Sequence, residues 1–99
     1  MNDIHIEDKL MEYLITLVRS TRENPYIALG IRPRGGIALI RMAKSFAFMD
    51  ERDYVVPEDI LNCLDAVAMH RIVLSSKAKA NGYSEGDIIN ELKNDIKIP

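Results

Sequence analysis

The residues able to do chemistry are concentrated in one stretch, Gly30-Ile31-Arg32-Pro33-Arg34-Gly35-Gly36. Gly30 can take a positive φ and so make a sharp bend. Pro33 suits the first position of a helix, where its missing N–H costs no hydrogen bond. Arg34 then falls in the first helical turn, where a cation opposes the positive end of the helix dipole. An anion held at the helix start would resolve that mismatch, because free first-turn N–H groups and an arginine together make an anion site. The competing reading leaves Arg34 in water, where most arginines lie.

No second centre of chemistry is visible. There is no G-x-x-x-x-G-K-[ST] phosphate loop, and no apolar run ends in paired acids suited to magnesium. His5 and His70 are the only histidines. Neither has a cysteine or carboxylate at metal-ligand spacing, so no metal site is expected. His70 reads as a contact at a helix end. No Ser, Cys or Lys sits in a nucleophile motif. The acid pairs Asp50-Glu51 and Glu58-Asp59 fall in a turn and at a helix start, where capping explains them better than acid–base catalysis. On its own residues the chain has no active site.

The elements that must position Arg34 follow from periodicity. Ile6, Leu10, Tyr13, Leu14, Leu17 and Val18 recur at helical spacing and predict an amphipathic helix over 6–22. Pro25 stops it, and residues 24–29 read as an irregular connection. The next helix runs over 33–49. Only Arg41, Lys44 and Ser45 are polar after Gly36, and they share one narrow stripe. A helix apolar on nearly every side is a buried one. It is therefore expected to be a central post, with Ile40 midway along it in the core.

Residues 50–53 form a polar turn, and Tyr54-Val55-Val56 is held extended by Pro57. Pro57 opens a third helix with Glu58 and Asp59 in its first turn, ending near residues 69–70. The β-branched run Arg71-Ile72-Val73-Leu74 is a candidate to pair with Tyr54-Val55 as a tiny two-stranded sheet. Residues 75–81 carry one loose helical turn, broken by Gly82. Ser84 and Asp87 read as a capping box, with Tyr83 and Ile88 as its hydrophobic staple, for a last helix over 85–95. The expected fold is all-α, a four-helix bundle with short connections.

Ninety-nine residues make a single domain with one modest core. Apolar content of 47% and charged content of 28% are those of an ordinary globular protein. The net charge of −2 is unevenly spread: −3 over residues 1–18, +4 over 19–52 and −3 over 53–99. A local basic patch in an acidic chain fits a specific anionic partner better than nucleic acid. Pairing of Arg41 and Arg52 with neighbouring acids is the plainer alternative. Cys63 is the only cysteine and lies in an apolar helical run, so no internal disulfide forms and a cytoplasmic setting is expected. No signal peptide or membrane span is visible.

The order of motifs resembles the C-terminal helical lid of MoxR-type AAA+ ATPases. Tyr13-Leu14-Ile15-Thr16-Leu17-Val18-Arg19-Ser20-Thr21-Arg22 is similar to that family's Tyr-Ile-x-x-Leu-Val-x-x-Thr-Arg. Gly30-Ile31-Arg32-Pro33-Arg34 resembles its Gly-Ala-Ser-Pro-Arg. Arg52-Asp53-Tyr54-Val55-Val56-Pro57-Glu58-Asp59 is similar to its Gly-Arg-Asp-Tyr-Val-Thr-Pro-Glu-Asp, and His70-Arg71-Ile72-Val73-Leu74 to its His-Arg-Ile-x-Leu. Arg32 and Val56 stand where the family has capping Ser and Thr, and Ile31 where it has Ala.

The resemblance implies an AAA+ lid-type bundle spanning residues 1–99, a fragment that ends near the parent's natural C-terminus. It implies that Arg34 is the second-sensor arginine, reaching for the γ-phosphate of ATP, with Gly30 and Pro33 shaping the turn beside the nucleotide. ATP and its Mg would be held by an N-terminal ATPase domain, so the isolated chain is expected to bind no cofactor and turn over no substrate. The parent would be a homo-hexameric, chaperone-like ATPase acting on a client protein, without nucleic acid or membrane. A free-standing helical adaptor that binds protein through an exposed apolar face is the alternative from another class.

Overall fold

Helix α1, Asp8–Glu23, forms where the apolar spacing predicts, and buries Leu10, Tyr13, Leu14, Leu17 and Val18 along one face. Asp8 in its first turn and Arg22 in its last complement the dipole. Asn24 turns the chain out of the helix, its Oδ1 accepting from the Tyr26 N–H at 2.8 Å. The computed structural model describes residues 3–99, and among these the side chains of all but residues 68–71. The reading of His70 as a helix-end contact lies outside the described residues.

After α1 come strand β1 (Ile27–Leu29), helix α2 (Pro33–Met49), helix α3 (Pro57–Arg71), strand β2 (Val73–Leu74), helix α4 (Ser76–Ala80) and helix α5 (Glu85–Asp95). The all-α class holds, with five helices among the described residues in place of four because residues 76–80 close a genuine short helix. Ser75 caps it, accepting from the Ala78 N–H at 3.2 Å, and Ala78 is fully buried beneath it. The capping box at α5 forms in both directions between Ser84 and Asp87, while the Tyr83 ring meets Tyr26 edge-on at 5.2 Å.

The small sheet exists, but with a different partner. β2 pairs antiparallel with β1, placing Ile27 opposite Leu74, and the Ser75 N–H extends the pairing to Tyr26 O at 2.9 Å. The expected partner, Tyr54-Val55, is already taken. The His5 N–H donates to Asp53 O and the Val55 N–H donates to His5 O, both at 2.8 Å. The N-terminal segment thus forms a parallel bridge there and buries Ile4. Segment 24–29, read as irregular, supplies β1 because Ile27 is buried against the core while Ala28 and Leu29 face out.

The central-post reading of α2 is also corrected. Its buried residues are Gly35, Leu39, Ala43 and Ala47, every fourth position and so a single line. The line faces α3, and this is the most extensive helix contact of the chain. Three of the four residues are Gly or Ala, which lets the two helices approach closely. The opposite flank is open: Ile37 is 52% exposed and Phe48 56%, and Ile40 is only half-buried. Helix α1 borders one edge of that flank, where Leu14, Ile15 and Val18 line a shallow groove with Ile37 and Ile40, but Ile37 and Phe48 themselves stay largely in contact with water.

Helix α2 ends in a Schellman turn. The Arg52 N–H donates to Ala47 O at 2.9 Å and the Glu51 N–H to Phe48 O at 3.0 Å. Glu51 occupies the left-handed position, with φ of 61°, where an L side chain is strained and glycine is not. Glu51→Gly is therefore expected to raise stability by about 0.5–1 kcal/mol, the relief of strain exceeding the added chain entropy. Denaturant unfolding reads this directly, and a loss of stability would refute the strain.

Candidate functional site

Helix α2 starts against the last turn of α1, and one buried hydroxyl joins them. Thr21 is fully buried. Its Oγ1 donates to Val18 O at 2.7 Å and accepts from the Ile31 N–H at 2.9 Å. Ile31 is itself fully buried, so the turn is fixed by both a hydrogen bond and a core side chain. Gly30 lies directly on α1: a Cβ there would stand 2.5 Å from Thr21 O and 2.7 Å from the Arg22 backbone nitrogen. The expected positive φ is absent, since among the described glycines only Gly82 has one. Gly30 is needed for close backbone approach, not for a left-handed bend.

Pro33 occupies the first turn of α2 as expected, and the Gly36 N–H closes that turn on Arg32 O at 3.1 Å. Arg32, at the capping position, has extended backbone (φ −83°, ψ 168°) and gives no side-chain cap. The N–H groups of Arg34 and Gly35 belong to a first turn that has no intrahelical acceptors for them. Arg34 is exposed. Among the described residues, neither its guanidinium nor that of Arg22, Arg32 or Arg41 makes a hydrogen bond or ion pair. Arg34 separates two shallow depressions. One runs along α2, lined by Ile37, Ala38, Arg41 and Met42. The other crosses the turn, lined by Leu29, Gly30, Arg32 and Pro33. With no acid anywhere in α2, the helix start is an unneutralised positive site beside apolar surface, suited to an anion carrying a flat or apolar body.

The far end of α2 is locked. The Arg52 guanidinium donates to both oxygens of Asp59, at 2.8 and 2.9 Å, to Asp50 Oδ2 at 2.9 Å and to Tyr54 O at 2.9 Å. Burial alone would raise the Asp59 carboxyl, but the Arg52 hydrogen bonds and the Val56 N–H, at 2.9 Å, outweigh it and hold the pKa below the usual range. Asp59 thereby supplies the cap that Val56 cannot. Pairing with acids is thus the fate of Arg52 but not of Arg41. Cys63 is fully buried. Burial, aided by the Asp59 charge, pushes its thiol up to about 12, so it is no nucleophile.

Gly30, Pro33 and Arg34, the site residues expected from the sequence, line one depression at the start of α2. Thr21 is not among those expected, although its signal is available: a hydroxyl residue on the apolar stripe of α1, four residues after Leu17 and nine before Gly30.

This helical bundle, with its hooked start to α2, matches a known family. The model of that family, the AAA lid domain, matches residues 19–92, and the chain belongs to it, as a lid of the MoxR type. Over all 99 residues it is 34% identical to "Uncharacterized protein YeaC" of Bacillus subtilis (strain 168), covering 31% of that protein. It is 29% identical to "Chaperone MoxR1" of Mycobacterium tuberculosis (strain ATCC 25618 / H37Rv), a match that takes in 95% of this chain and 27% of that one. The crystal structure of a "putative ATPase" from Cytophaga hutchinsonii superposes with a TM-score of 0.88 at 36% identity, covering 99% of this chain and 32% of that one. The chain spans about a third of the length of these relatives. Among the described residues no helix is long and apolar enough to cross a membrane.

Proposed function

We propose that residues 1–99 are the lid of a larger MoxR-type AAA+ ATPase and that Arg34 is its sensor arginine, contacting the γ-phosphate of ATP held with Mg by a preceding ATPase domain. The observation that carries this reading is an exposed, unpaired arginine in a first helical turn that is otherwise rigidly held by Pro33 and the Thr21–Ile31 bond. An arginine whose backbone is fixed in this way reaches out from a set point and can stabilise charge on a transferring phosphoryl group. The open flank of α2, with Ile37 and the nearby Ile15 and Leu29 exposed, supplies apolar surface for the ATPase domain to cover. Gly30 and Pro33 border the nucleotide from the lid side. Closure of the lid would pass hydrolysis on as rigid-body motion through α2, clamped at its other end by Arg52 and Asp59. A cytoplasmic homo-hexamer that remodels client proteins completes the reading; the mycobacterial relative is itself named a chaperone.

The test compares two neighbouring cations in that ATPase. Arg34→Ala should lower ATP hydrolysis by ~10-fold or more, the scale of one preorganised charge contact. Arg32→Ser should leave hydrolysis nearly intact and raise stability by ~0.5–2 kcal/mol, because its extended backbone is already that of a cap. Equal losses from both would mean a diffuse basic patch and would overturn the sensor assignment.

A further inference from the structure

We propose that Thr21 is a positioning residue for Arg34, acting through the Ile31 amide; the inference rests on the reading of Arg34 as the sensor. Thr21 is fully buried although its side chain is polar, and its hydroxyl is doubly engaged, donating to Val18 O at 2.7 Å and accepting from Ile31 N–H at 2.9 Å. The first bond fixes the rotamer on α1. The second transmits that position to the start of α2. From the anchored amide to the Arg34 Cα the path is short and stiff. Ile31 is packed in the core, Pro33 has a locked φ, and the Gly36 N–H ties the turn to Arg32 O at 3.1 Å. The backbone of Gly30 rests on the Thr21 carbonyl so closely that no Cβ fits. The point from which Arg34 reaches out is therefore referenced to one hydroxyl in the last turn of α1.

This placement matters because a displacement of about 1 Å in a positioned group can cost up to ~100-fold in rate. Thr21→Val keeps the shape and removes the acceptor, leaving a buried donor unpaired, so the turn shifts to find another partner. Thr21→Ser keeps the acceptor. In the ATPase that carries this lid, assayed well below each variant's melting temperature, Thr21→Val should lower kcat by roughly 10-fold with little change in KM, and Thr21→Ser should retain at least about half of kcat. In an Arg34→Ala background, Thr21→Val should add less than about twofold, because the group it positions is gone. Should Thr21→Val not fold, Thr21→Cys takes its place. Its sulfur is a much weaker acceptor, so kcat should fall below that of Thr21→Ser. Equal losses in both backgrounds would mean a merely structural threonine and overturn the proposal. An unchanged kcat for Thr21→Val (or for Thr21→Cys where it stands in), with Arg34→Ala still impaired, would overturn it and leave the sensor reading standing. An unimpaired Arg34→Ala would bring both down together.

Discussion

Leu39→Ala should lower the stability of this domain by about 2–5 kcal/mol. Leu39 is 1% exposed and is the one large side chain on the inner line of α2, with Gly35, Ala43 and Ala47 as its companions. The small residues bring α3 close, so the surroundings cannot collapse far into the space a removed leucine leaves. A domain of this size has about 5–15 kcal/mol in total, so the variant should be partly unfolded at modest denaturant. Ile40→Ala should cost clearly less, because Ile40 is only half-buried. Denaturant unfolding of the pair fixes the rotation of α2: one residue is ~100° of helix, and a larger loss at Ile40 would mean that the helix packs on the wrong face.

The second large effect is expected at Gly30. An alanine methyl there would meet Thr21 O at 2.5 Å and the Thr21 carbonyl carbon at 2.6 Å. These are backbone atoms that no rotamer change can move. The turn must lift away from α1 and give up the Thr21–Ile31 bond, at about 1–3 kcal/mol for the overpacking and with Arg34 displaced. Gly36→Ala provides the internal contrast. Its Cβ would lie 3.9 Å from the Val18 methyls, an ordinary contact, in the interior of α2. Replacing a helix-interior glycine should stabilise by up to about 1 kcal/mol. Thermal or chemical melts should therefore move in opposite directions at two glycines six residues apart. A shift of the same sign would undo the argument for close approach.

Some of this was legible in the sequence for plain reasons. The bounds of α2 and α5 were fixed by local signals, Pro33 at one start and the Ser84–Asp87 box at the other, which act within a single turn. Arg34 stood out because its charge conflicts with its position. The partner of β2 was not legible: Tyr54-Val55 and Tyr26-Ile27-Ala28-Leu29 are equally extended and apolar, and only the approach of the N-terminal segment, with His5 bridging Tyr54, decides between them. The burial of α2 misled because apolar content reports what a helix can bury. It does not report how much of that surface its own chain covers. Ile37, Phe48 and Met49 read as core and stand exposed. Gly30 was marked correctly and explained wrongly, since a close approach between segments cannot be seen along one of them. Glu51 shows the reverse: a residue locally unsuited to its left-handed site is held there by the Schellman turn and by the clamp of Arg52 on Asp59.

The most direct measurement is a structure of the complete ATPase with Mg and a non-hydrolysable ATP analogue. The Arg34 guanidinium should lie at about 2.7–2.9 Å from γ-phosphate oxygens, with the Thr21–Ile31 bond intact and Arg32 turned away. A γ-phosphate met by Arg22, Arg32 or Arg41 while Arg34 remains in solvent would contradict it.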